Sequence, residues 1–268
     1  MPLGFPEFKG ATRRLLLLNL ISFFGLLVLG FASPTTAKLI FGLFSFIPET
    51  FLHGYLWQPL TYSFIHAGLL PTLFELLSLW FLLGFLEAYR PSSWVTSLYA
   101  ASVIGTSITA AAIYQIGDRF SQSGFAGSGS VLYGCFGGIF GLLVAIGVLF
   151  GDVEFMMFFV INIKAKYLAM IYALIAFAML FGQSRLYAFS QLGGALAGLL
   201  FIRFAPRKGF SFATSEWLYG LRNRYYRWKR RRAGRKFEIY MKKQGRTVRL
   251  DSRGRQIDED HNDRSRWN

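Results

Sequence analysis

The chain has 268 residues, with 29 basic against 14 acidic side chains and a net charge of +15. Hydrophobic residues make up 53% and charged residues 16%, where a soluble domain carries roughly 25% charged residues. With a mean hydropathy of +0.39, that excludes an ordinary soluble globule and a disordered chain. The single Cys excludes an internal disulfide and sets the expectation of no Cys-based zinc site; the three His, at 53, 66 and 261, are far apart in sequence, so no metal or cofactor is expected.

Charge is segregated. Residues 1–202 hold 9 Lys/Arg and 7 Asp/Glu, whereas 203–268 hold 20 and 7. The sequence predicts a short leading segment (1–14), an apolar body (15–204) and a basic tail (205–268) suited to phosphate-bearing surfaces.

A helix needs about 20 apolar residues to cross a bilayer. Six runs qualify: Leu15–Phe31, Leu69–Phe85, Trp94–Ile116, Val131–Phe150, Tyr167–Phe181 and Leu186–Phe204. The first has no small-residue cleavage site after it, so it reads as a span and not a signal peptide. Thr36–His66 is apolar but broken by Pro48, Pro59 and Gly54, and reads as short helices and a loop at the membrane interface. With the first residue inside, the inner segments collect Lys9, Arg13, Arg14, Arg90, Lys164, Lys166 and the tail. The positive-inside rule then places both termini in the cytoplasm. Gly134 and Gly138 in the fourth span, and Gly194 and Gly198 in the sixth, lie four apart and predict close packing of those two helices.

Three segments together resemble the rhomboid family of intramembrane serine proteases. "WQPLTYSFIHAG" (57–68) is similar to that family's Trp-Arg-x-x-Thr-x-x-Phe-x-His stretch, with Gln58 in place of Arg. "GSGSVLYG" (127–134) is similar to its Gly-x-Ser-Gly-x-x-Tyr/Phe-Gly, and "QLGGALAG" (191–198) to its His-x-Gly-Gly-x-x-x-Gly. The resemblance implies an all-α, polytopic, six-span bundle with a basic cytoplasmic tail. It also implies a Ser–His dyad, and here the matched positions depart from it. The nucleophile position is Gly129, flanked by Ser128 and Ser130; the His position is Gln191; the two oxyanion-binding positions are Pro71 and Glu75. An amide cannot act as a general base, and no His occurs between residues 67 and 260.

The expectation is therefore a pseudoprotease that binds transmembrane segments of client proteins or assists a membrane-protein partner. The alternatives are an intramembrane serine endopeptidase with an atypical site at Ser128 or Ser130, and a plain membrane anchor whose working part is the tail. A carboxyl within a span is costly; Glu75 is expected either to pair with Gln191 or to reach water. His66 is expected to line a polar cavity or, more commonly for such a residue, to bond loop backbone. In the tail, Trp217, Leu221, Tyr225 and Trp228 form an apolar stripe among arginines including Arg230, Arg231 and Arg232. That pattern predicts a helix on anionic lipid and disfavours nucleic acid as the partner.

Overall fold

The computed structural model describes residues 6–119, 131–157, 161–181, 185–204, 222–229, 232 and 239–245. The chain divides into two compact units, Met1–Ser211 and Phe212–Asn268.

The first unit is mostly helical: α1 (Gly10–Ala32), α2 (Pro34–Phe44), α3 (Pro48–Leu52), α4 (Gln58–Thr61), α5 (Leu69–Tyr89), α6 (Ser92–Arg119), α7 (Phe136–Leu149), α8 (Ala165–Met179) and α9 (Arg185–Phe204). Prolines start the short helices α2 and α3, since the first helical turn has no use for the missing N–H. α1, α5, α6 and α9 are long and apolar enough to cross a membrane. α7 and α8, at 14 and 15 residues, rise about 21–23 Å, short of a roughly 30 Å hydrocarbon core.

α7 begins at Phe136, not at Val131. Leu132 pairs with Phe46 in a backbone bridge. Gly134 then turns the chain at φ +86°, and its N–H is directed at the carbonyls of Tyr62 and Ile65, 3.1 and 2.7 Å away. These ties to the loop keep residues 132–134 out of the helix. A second departure from the all-α expectation is an antiparallel hairpin, β1 (Glu154–Met157) with β2 (Ile161–Lys164). Beside it Lys166 donates to Asp152 at 2.7 Å, which holds the Asp152 carboxyl below the usual range. Lys166 thus has a carboxylate partner as well as any headgroup it reaches.

The bundle centre is α6 packed on α7 and α9. Ser102, Thr106 and Thr109 return their hydroxyls to the carbonyls four residues earlier, at 2.8–2.9 Å. This hides the polar hydrogens and leaves small, smooth side chains facing the glycines. Ser102 faces Gly141 and Gly198, Thr106 faces Gly137 and Gly194, and Thr109 faces Gly193. Gly198 meets Gly141 backbone to backbone: a Cβ there would lie 2.8 Å from the Gly141 Cα. Without a hydrophobic drive between helices in lipid, such close approach is the main source of cohesion.

α1 lacks an acidic residue in its first turn, and α5 supplies one. Glu87 accepts from the Ala11 N–H at 2.6 Å, the Thr12 N–H at 3.0 Å and the Thr12 hydroxyl at 2.6 Å. It caps α1 and does not pair with Arg90, whose guanidinium lies 5.3 Å from the Trp94 ring. In the second unit, residues 222–229 and 239–243 are helical. The Tyr225 and Trp228 rings are 6.2 Å apart, and Arg232 lies over Trp228. Trp217, Leu221, Arg230 and Arg231 fall outside the described residues.

Candidate functional site

The loop between α2 and α5 is built from the residues that carry the resemblance. Trp57 Nε1 donates to the Leu43 carbonyl at 3.1 Å and the Thr61 hydroxyl to the Phe44 carbonyl at 2.9 Å. Together they tie down the open C-terminal end of α2. Gln58 is fully buried; its Oε1 accepts from the Ile47 N–H and the Thr50 hydroxyl, and its Nε2 reaches the Leu43 carbonyl at 3.4 Å. Tyr62 is buried too, its hydroxyl donating to the Val103 carbonyl of α6 at 3.0 Å. It is a tie into the core, not interfacial packing. The Ser22 hydroxyl of α1 donates to the Phe64 carbonyl at 2.5 Å.

This framework delivers His66 into a buried polar cluster. His66 Nε2 lies 2.8 Å from Asn19 Oδ1. The Asn19 amide nitrogen donates to the Leu15 carbonyl at 2.7 Å, so its Oδ1 is the acceptor and Nε2 carries the proton. His66 Nδ1 then faces Glu75 Oε2 at 3.2 Å. The same oxygen accepts the Cys135 backbone N–H at 3.0 Å and sits 3.5 Å from Cys135 Sγ. His66, Glu75 and Cys135 present donor atoms within 4.8 Å of one another, and Asn19 anchors the far side. A Cβ at Gly134 would lie 2.7 Å from Glu75 Oε2, so only a glycine lets the carboxylate approach the start of α7.

Glu75 therefore pairs neither with Gln191 nor with water: it is 5% exposed and its partners are His66 and Cys135. His66 bonds side chains, not loop backbone. Cys135 is the thiol edge of the cluster. Sequence reading missed Asn19, although a lone amide inside "LLLLNLISFF" is itself a signal of a polar interaction at depth.

Gln191 sits elsewhere. With Tyr62, Thr106, Gly137, Tyr187 and Ser190 it lines a cavity of about 10 Å³, the size of one water molecule. Gly129, Ser128 and Ser130 lie outside the described residues. The roomier concavity, about 370 Å³, opens between α1 and α2, walled by Phe23, Leu27, Phe31 and Phe41, with Lys38 on its lining and His66 and Gly68 at its end.

A family model described as "Eukaryotic integral membrane protein (DUF1751)" matches residues 16–215. The chain belongs to that family. The match covers all of α2–α9 and most of α1, so the apolar helices are those of an integral membrane protein, as composition required. No curated protein matches the sequence.

Proposed function

We propose that this chain is a rhomboid-like, six-span pseudoprotease that holds the transmembrane segment of a partner protein against α1 and α2. The observation carrying this reading is the contrast between the two concavities. Around Gln191 there is room for about 10 Å³, too little for a peptide bond and its flanking residues, and an amide offers no base. Between α1 and α2 an apolar concavity of about 370 Å³ stands open. α1 is also the least enclosed long helix, with 22% of its apolar window buried against 44% for α5, α6 and α9. A lipid-facing helix side is normally convex; a concave apolar one receives a side-chain ridge from another helix. The positive-inside distribution supports both termini in the cytoplasm, where the tail's Tyr225, Trp228 and Arg232 suit anionic headgroups.

The test is site-specific photocrosslinking from the full chain in native membranes, with the crosslinker at Leu27 or at Leu174 on the exposed side of α8. Protein adducts from Leu27 alone, suppressed by Gly30→Trp, are expected. Equal adducts from both sites reject the groove. A fluorophosphonate label on the purified protein that disappears in Ser128→Ala or Ser130→Ala would instead establish the peptidase reading.

A further inference from the structure

We propose that His66, Glu75 and Cys135 bind a single zinc ion. Among the described residues theirs is the cluster of three His, Cys, Asp or Glu side chains with donor atoms close enough to share an ion. Two of the three donor–donor distances match the need, and all three lie within 4.8 Å. A tetrahedral zinc with bonds of about 2.1 Å to N and O and about 2.3 Å to S has N–O and S–O edges of about 3.4 and about 3.6 Å. The structure has 3.2 Å between His66 Nδ1 and Glu75 Oε2 and 3.5 Å between Cys135 Sγ and Glu75 Oε2.

An independent observation points to a ligand. His66 Nδ1 is fully buried and makes no hydrogen bond, although a carboxylate oxygen stands 3.2 Å away. The opposite nitrogen donates to Asn19, which can only accept there. A ring nitrogen facing a carboxylate in a dry interior needs something positive between them, a second ring proton or a metal ion. Pinning one ring N–H on an outer acceptor is also how metal-bound imidazoles are oriented. Glu75 Oε2 has lone pairs enough to ligate and still accept the Cys135 N–H.

Charge balance selects the ion. Zinc(II) with one thiolate and one carboxylate is neutral, which suits a site at the end of an apolar bundle. A mixed S, N, O donor set favours zinc over magnesium or calcium, which take oxygen. On binding, the Cys135 thiol gives its proton to solvent and a Zn–S bond forms, with no change of oxidation state. Three protein donors leave the fourth position to water. The ion would clasp the loop before α5, α5 itself and the start of α7.

The experiment uses full-length protein purified in mild detergent with trace zinc present. Elemental analysis is expected to give about one zinc per chain, with at least a ~10-fold loss in Cys135→Ser and His66→Ala. Asn19→Leu, which touches no metal, weakens binding by ~10–100-fold. Cobalt(II) replacing zinc shows a thiolate charge-transfer band that Cys135→Ser abolishes. Should the variants fail to fold, the parent protein still decides. Natively eluting parent chain that takes up neither zinc nor cobalt overturns the proposal. So does metal content unchanged by Cys135→Ser.

Discussion

Gly198 offers the sharpest check on how the bundle coheres. In Gly198→Ala the new Cβ would sit 2.8 Å from the Gly141 Cα and 3.0 Å from its carbonyl oxygen. Carbon atoms in contact prefer about 3.5–4.0 Å, so α9 must retreat from α7 by roughly 0.7–1.2 Å or bend. Both neighbours are backbone and cannot rotate away. Overpacking of this kind costs about 1–3 kcal/mol. Ala also gains about 1 kcal/mol over Gly in helix propensity, which obscures the clash if Gly198→Ala is measured alone. Gly25 in α1 has nothing within 4 Å of an added Cβ, so Gly25→Ala takes the propensity gain without the clash. The difference between the two variants therefore isolates about 1–3 kcal/mol of packing. For a chain of this size that corresponds to roughly 2–5 °C in Tm, read by thermal unfolding in one detergent. Equal Tm values for Gly198→Ala and Gly25→Ala would refute the account of glycine as the contact surface.

Glu87→Ala removes three hydrogen bonds at the start of α1 and should cost about 1–2 kcal/mol, seen as a lower Tm; an unchanged Tm would show α1 needs no cap from α5. Gln191→His restores an imidazole in a space too small for substrate, so fluorophosphonate labelling should stay absent; labelling that then vanishes in Ser128→Ala or Ser130→Ala would contradict this. Asp152 has its carboxyl pKa lowered by Lys166, so the pair's contribution is present above the ordinary carboxylate pKa and is lost as pH falls through the lowered value. Amide exchange around residues 152–154 should rise across that window while α6, α7 and α9 stay protected; a pH-independent hairpin would refute the pairing. A peptide of residues 216–245 should gain helical circular dichroism on anionic vesicles and not on neutral ones; equal gain on both would leave the arginines without a lipid role.

The apolar runs made the helices legible: each of the six corresponds to a helix that begins or ends within a few residues of the reading. What failed had tertiary causes. α7 starts five residues late because Leu132 and Gly134 bond to Phe46, Tyr62 and Ile65, partners roughly 70–86 residues away that no local pattern announces. The hairpin is likewise silent: it falls in the segment between the fourth and fifth runs, Val131–Phe150 and Tyr167–Phe181, to which the sequence pattern assigns no element. The polar cluster was half legible. Glu75 and His66 stood out because ionisable groups are costly at depth, but their partners depend on the register of α5 against α7 and α1. Cys135 and His66 are 69 positions apart, so spacing rules for metal sites passed over them.

The same contacts give the motif residues of the loop between α2 and α5 structural work of their own. Trp57, Gln58 and Thr61 each direct a polar group toward the end of α2 or the loop after it. Tyr62 joins that loop to α6 through its hydroxyl and, through its carbonyl, to Gly134 just before α7. His66 closes the structure onto α1 and α5. Gln58, Tyr62 and His66 are buried, so removing any of these three leaves a buried donor or acceptor unpaired, at about 1–3 kcal/mol. Gln191 lines a small cavity together with Tyr62 of that loop, Tyr187 and Ser190. Position 191 holds a buried amide that hydrogen-bonds Tyr187.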